Sequence, residues 1–315
     1  MNPADNFLGY QPSEIDPDTA RAVLVPAPYD GTATYKKGAR DGPRAIIEAS
    51  QQLEDFDLEL LADPSQLGIY TASPVVPEVP NPEGPVGPEA MTDAVERAVS
   101  QWSRPGVLVG VLGGEHSVTI GAVRAVASKH PGLSVLYLDA HADMRDEYRG
   151  SRYSHACVAR RIAEGCPLVE VGVRSAEAQE WEWVTSNDVP MVTWPPSEGD
   201  NYVVGVLAQL GDPVYVSIDL DVLDPSIMSA VGTPEPGGMG WYELLRLLRV
   251  VAANRTIVGF DVVELAPDEG PEACSYTAAK LVYKLIGYVL TKPDSELGPG
   301  QREQPGDRGT SGRTG

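Results

Sequence analysis

An α/β fold built on a parallel sheet is what this sequence predicts, on three observations. Short apolar, β-branched runs recur along the chain, about eight by the run-length criterion. Stretches with helical spacing lie between them. Most of the runs are apolar at every position, as strands buried on both faces are.

Taken in order, the candidate strands are AVLVPA (22–27), LGIYTA (67–72), GVLVGVLG (106–113), LSVLYLDA (133–140), LVEVGV (168–173), VPMVTW (189–194), PVYVSIDLD (213–221) and TIVGFDVVEL (256–265). The clearest helical pattern covers 276–290, where Ala278, Leu281, Val282, Leu285, Ile286 and Val289 recur at three- and four-residue spacing. The Pro-rich stretch 74–88 is flanked by strand patterns of one type, so it reads as a long loop within one domain and not as a linker. Residues 293–315 are rich in Gly, Pro, Ser, Thr and charge and lack apolar periodicity, which predicts a disordered tail. The expected organisation is one catalytic domain over 1–292 followed by that tail, with no internal repeat.

The chain has 315 residues, 42% hydrophobic and 22% charged, the balance of a globular protein. Forty-five acids against 24 bases give a formal charge of −21. That charge repels nucleic acid and anionic membranes and attracts cationic small molecules. With only six lysines among the bases, it equally suits a whole-surface adaptation to a salty cytoplasm. Cys157, Cys166 and Cys274 are odd in number and form no CxxC pair, which indicates neither a disulfide framework nor a zinc knuckle. The first ten residues lack a basic segment followed by an apolar run, and no 18 apolar residues run together. The expected location is the cytoplasm.

Chemistry concentrates in three segments. DAHAD places Asp139, His141 and Asp143 at the end of LSVLYL, and residues two apart on a strand point to one face. SIDLDVLDP places Asp219 and Asp221 likewise, and GGEHS places His116 just after GVLVGVLG, where paired glycines allow a tight turn. The carboxyl edge of an open parallel sheet is where ligands bind, so the three segments converge there. Four carboxylates in one crevice repel unless compensated, and two divalent cations supply the missing charge. Mixed carboxylate and imidazole donors suit manganese, iron, cobalt, nickel or zinc over magnesium or calcium. Two such ions ionise a bound water near neutrality. His130, before Pro131, reads as structural.

These motifs, with SHAC around His155, GTPEPGG (232–238), DVVELAP (261–267) and PYDGTATYKKGARDGPRAI (28–46), resemble the ureohydrolase family of arginases and agmatinases, most closely the agmatinases. The likeness covers roughly 22–290. It implies a three-layer α/β/α sandwich around a central, mostly parallel sheet of eight strands. It also implies two manganese ions per chain, other divalent transition metals being possible, and a homo-oligomer, trimer or hexamer. Carried over by position, it gives His116 and Asp143 to one metal, His141 and Asp221 to the other, and Asp139 and Asp219 to both. It makes His155 the proton shuttle and Glu264 the carboxylate that holds a substrate guanidinium. Glu115 stands where many members have Asp, and Ala156 and Cys157 follow His155 where Gly is more usual.

The implied reaction is hydrolysis of a linear guanidino compound, foremost agmatine to putrescine and urea, as in polyamine biosynthesis. The chemistry agrees, because a delocalised guanidinium carbon needs a strong aligned nucleophile and the departing amine needs a proton. The loop MRDEYRGSRYS (144–154) lacks the Asn with which arginases read an amino acid end. Asp146 or Glu147 can meet a distal ammonium there, while Arg145, Arg149 and Arg152 can equally meet a carboxylate. Competing readings are hydrolysis of aminopropylagmatine, guanidinobutyrate or arginine, a two-metal phosphoesterase, and a non-catalytic metal-binding relative. Against the phosphoesterase stand the acidity and the lack of a GNH motif. Against the non-catalytic relative stands the retention of all six ligand positions with His155 and Glu264.

Overall fold

The computed structural model describes residues 5–11, 13–77, 86–197 and 199–291. Eight strands form one sheet: β1 (Ala22–Ala27), β2 (Ile69–Thr71), β3 (Leu108–Gly113), β4 (Ser134–Leu138), β5 (Leu168–Val173), β6 (Met191–Thr193), β7 (Val214–Asp219) and β8 (Ile257–Val263). Each lies inside one of the eight apolar runs. The spatial order is β2-β1-β3-β8-β7-β4-β5-β6, and every pairing is parallel.

Helices cover both faces. Alternation along the strands sends Leu24, Leu112, Leu136 and Val216 into one core and Val25, Val111, Val135 and Tyr215 into the other. The first core is closed by α1 (Gly42–Ser50), α6 (Tyr202–Gln209), α7 (Trp241–Asn254) and α8 (Ala273–Leu290). The second is closed by α2 (Pro88–Trp102), α3 (Val118–Ala127), α4 (Val158–Ala163) and α5 (Ala178–Ser186). The predicted helix over 276–290 is the body of α8, and its apolar stripe, Leu281, Val282, Leu285 and Ile286, is fully buried.

The strand order is what positions a site. β3 and β4 follow one another in the chain, yet β8 and β7 lie between them in the sheet. The four central strands β3, β8, β7 and β4 therefore present their carboxyl ends side by side around a topological switch, the place where such sheets bind ligands. Strands from both sides of the Pro-rich stretch share this one sheet; residues 78–85 of that stretch, and the predicted tail over 293–315, lie outside the described residues. Among the described residues no helix is long and apolar enough to cross a membrane.

Candidate metal centre

His116 arrives from β3 through a turn that only glycine permits. The Gly114 N–H donates to the Ala27 carbonyl at 2.9 Å, and a Cβ on Gly114 would lie 2.0 Å from the Tyr29 carbonyl oxygen. The imidazole is 1% exposed and both its nitrogens are engaged. Nε2 is 2.8 Å from Ser217 Oγ, whose own hydrogen goes to Asp261 Oδ1 at 2.8 Å, while Tyr215 donates to Asp261 Oδ2. Ser217 thus receives a hydrogen from Nε2, so the neutral ring turns its Nδ1 lone pair to the carboxylates. Nδ1 lies 3.0 Å from Asp139 Oδ2, 3.2 Å from Asp219 Oδ2 and 3.6 Å from Asp143 Oδ2. The Tyr137 ring stacks on the imidazole and its hydroxyl donates to Asp143 Oδ2 at 2.8 Å.

DAHAD converges for a different reason from the one strand alternation suggests. β4 ends at Leu138, so Asp139, His141 and Asp143 all lie beyond it. An irregular segment gathers them. The Asp139 carboxylate accepts the His141 N–H at 2.6 Å, and Asp143 sits at φ 49°, a left-handed conformation that costs a non-glycine residue free energy. Asp219 closes β7 and its carboxylate accepts the Asp221 N–H at 2.8 Å, so Asp221 stands in a 3₁₀ turn and not on the strand. Asp221 Oδ2 then lies 3.0 Å from His141 Nδ1.

Six side chains from three segments thus meet, and ligand atoms of two groups of three lie within 4.8 Å of one another: His116, Asp139 and Asp219, and Asp139, His141 and Asp221. Asp139 belongs to both. Asp143 belongs to neither and reaches the first group through Tyr137 and His116. Two like charges about 4 Å apart repel by about 4 kcal/mol at an effective dielectric near 20, so the cluster demands positive charge. Burial, reinforced by Asp139, pushes the Asp143 carboxyl well above its ordinary range; burial, Asp221 and Asp139 do the same to Asp219. Burial opposes a charge on His116, but hydrogen bonds to Asp139 and Asp219 outweigh it and raise the imidazole well above its usual value. Where His116 Nδ1 offers its lone pair and no hydrogen, the buried Asp139 Oδ2 has no hydrogen-bond partner, an acceptor that a cation between the two groups satisfies. The residues fit a pair of divalent transition metals.

Glu264 and His155 flank this cluster in a cavity of about 270 Å³. Glu264 follows β8 at φ 67°, pinned by its N–H to the Gly114 carbonyl and by the His116 N–H to its Oε1 at 2.7 Å. Burial first, and then Glu115, lift its carboxyl to about 8. A cation placed there gains from ionising it. His155 opens a short 3₁₀ turn, His155–Cys157, that leads into α4, which settles the shape of the segment where Gly is more usual. Burial, and then the imidazoles of His141 and His116, hold His155 down at about 4, so it is neutral near pH 7.

The 144–154 loop sorts its charges differently from the reading of the sequence. Neither Asp146 nor Glu147 lines the cavity; Asp146 pairs with Arg152 and Arg161 at 3.1 and 2.7 Å. Arg145 does line it, together with Glu177 and Glu180, and pairs with Glu177 at 2.8 Å and Glu180 at 3.8 Å. Two carboxylates facing one guanidinium leave the far wall acidic. Sequence reasoning missed Glu177 and Glu180 because they sit beyond β5, in a segment with no motif. It also passed over Ser217 and Asp261, although Asp261, a charge inside an apolar strand, was a visible signal.

The arginase family model matches residues 20–287. The chain belongs to the arginase family. It is 39% identical over 276 residues to an N(1)-aminopropylagmatine ureohydrolase of Synechocystis, covering 85% of this chain and 89% of the relative. It is 37% identical over 279 residues to an agmatinase of Pyrococcus horikoshii, covering 87% and 93%. Among solved structures, the agmatine ureohydrolase of Thermoplasma volcanium superposes with a TM-score of 0.79 at 31% identity, covering 88% of this chain and 92% of that one. The arginase-like α/β fold, the ureohydrolase class and hence a hydrolase are shown together.

Proposed function

We propose that this arginase-family hydrolase binds two divalent ions, manganese foremost, through His116, Asp139, His141, Asp143, Asp219 and Asp221, and cleaves agmatine to putrescine and urea. The carrying observation is the pair of ligand groups that meet at Asp139 beside Glu264. Two divalent ions supply a water that ionises near neutrality. Glu264 orients the guanidinium carbon towards that water by a bidentate hydrogen-bonded pair. His155, neutral at rest, takes the proton of the attacking water and returns it to the amine that leaves with the C–N electron pair. The far wall, Glu177 and Glu180 against Arg145, favours a distal ammonium over a carboxylate.

A second substrate reading has its own support. The Synechocystis relative is named for aminopropylagmatine, which carries a further amine along the same cationic chain. Urea release from agmatine, aminopropylagmatine, guanidinobutyrate and arginine, with manganese supplied, decides between them. Either amine-ended substrate should exceed arginine by roughly 10²-fold or more in kcat/KM, the scale of a polar mismatch in a binding site. A preference for arginine or guanidinobutyrate would mean that Arg145 leaves its two partners and meets a carboxylate. We place the enzyme in the cytoplasm, which the free state of all three cysteines supports, with residues 1–292 as one catalytic domain, which the shared sheet supports, and, on the resemblance alone, as a homo-oligomer.

A further inference from the structure

We propose that Thr32 is a positioning residue that, oriented by Glu115, fixes His155 as the tautomer with its hydrogen on Nδ1 and its lone pair on Nε2. This rests on the reading of His155 as the proton carrier. It comes from a count of hydrogens. Glu115 is fully buried, and four donors converge on its carboxylate: the Thr32 N–H at 2.8 Å, the Ser117 hydroxyl at 2.6 Å, the Thr32 hydroxyl at 2.6 Å and the Ala33 N–H. A threonine hydroxyl has one hydrogen and two lone pairs. The hydrogen goes to Glu115, so towards every other neighbour the Thr32 oxygen can only accept.

Those neighbours both belong to His155. Its backbone N–H reaches Thr32 Oγ1 at 3.0 Å, and its Nδ1 lies 3.0 Å from the same oxygen. The first takes one lone pair. The second has to bring a hydrogen, since an Nδ1 lone pair would face the remaining oxygen lone pair at contact distance. Ser154 Oγ, at 3.4 Å from Nδ1, is the longer and weaker alternative. The Tyr148 ring stands edge-on to the imidazole, 6.0 Å away, and limits rotation of its plane. Nε2 is therefore left, with its lone pair, for the cavity that His155 lines.

The tautomer matters because the two halves of the reaction use one nitrogen. Nε2 accepts the proton of the attacking water and later donates it to the departing amine, so no proton is gained or lost over the cycle. While the ring is cationic, Nδ1–H stays bonded to Thr32, and the Thr32 hydroxyl passes that polarisation to Glu115. The opposite tautomer would present an N–H to the water and could accept nothing.

The test is nitrogen-15 NMR of the histidines in the full chain loaded with zinc, which is diamagnetic. With four histidines in the sequence, loss of a signal in His155→Asn assigns the residue. Nδ1 should carry the hydrogen in the unaltered protein. Thr32→Val should mix the tautomers and lower kcat by roughly 10- to 10⁴-fold, the upper figure being the cost of a wrong histidine tautomer in a serine protease. KM and metal content should stay the same, and Thr32→Ser should restore both the tautomer and the turnover. A hydrogen on Nε2 in the unaltered protein, or normal kcat in Thr32→Val, overturns the proposal and leaves the role of His155 standing. Full turnover in His155→Asn overturns that role instead, whatever the tautomer.

Discussion

Two groups of acids in this molecule behave in opposite ways. On α8, Lys284 donates to Asp57 at 2.9 Å and to Glu59 at 2.7 Å, and Arg249 and Tyr288 complete Glu59 at 2.7 Å each. Burial raises both carboxyls, yet the bonds from Lys284 and its neighbours outweigh it: Asp57 is lowered and Glu59 falls to about 2. At the carboxyl edge of the sheet, Asp139, Asp143, Asp219 and Asp221 have no lysine or arginine paired with them among the described residues. There Asp143 and Asp219 rise, while Asp139, beside the imidazoles of His116 and His141, is lowered. Asp57, buried like the acids at the sheet edge, moves down where Lys284 meets it, whereas Asp143 and Asp219 move up where neither lysine nor arginine does. A cluster that the chain leaves uncompensated is built to receive charge from outside.

Breaking the uncompensated cluster should have the largest effect. Asp219→Asn removes a carboxylate from the first candidate ligand group, and metal and turnover should be lost together; unchanged metal occupancy would show Asp219 to be no ligand. Next comes His155→Asn, which lies outside both groups. Both metals should remain while kcat falls by roughly 10²- to 10⁴-fold, the usual worth of a general acid. Normal turnover would remove His155 from the mechanism.

The compensated cluster should respond in stability alone. Lys284→Met leaves the buried Asp57 without its cation while Glu59 keeps Arg249 and Tyr288, and denaturant unfolding should show a loss of about 3–5 kcal/mol, with metal content and kcat unchanged. The sign with pH follows from the lowered carboxyls. Their contribution is complete above the ordinary Glu value near 4.3 and is lost as pH falls through about 2, so the variant should lose less than the parent over that interval. An equal loss in both proteins would show the pairs to be without weight. Smaller still is Ser217→Ala, which leaves the His116 ring unanchored. Metal affinity should fall by roughly 10- to 100-fold, measured by competition with a chelator. Unaltered affinity would mean that stacking on Tyr137 alone holds the ring.

Much of this comparison is readable before folding. All eight strands show as apolar runs: those buried on both faces carry no polar alternation to confuse them, and even the three-residue, partly exposed β6 lies inside its run. His116, Asp139, His141, Asp143, Asp219 and Asp221 share an edge because each ends or follows a strand. How they converge was hidden, since it depends on the positive φ of Asp143 and on two carboxylates that each cap the N–H two residues on. Thr32 was hidden more deeply. It sits 83 residues from Glu115 and 123 from His155, and nothing in PYDGTATYKK marks the threonine as different from its neighbours. Glu170 was visible as a charge within β5, yet it is fully buried with neither carboxylate oxygen hydrogen-bonded, and burial pushes its carboxyl well above the ordinary range.

Metal analysis of the purified chain during reconstitution measures directly whether the uncompensated carboxylates are there for two cations. Apoprotein titrated with manganese should gain urea-releasing activity in step with occupancy and reach full turnover only at two ions per chain. Full turnover at one ion per chain or fewer would contradict the account.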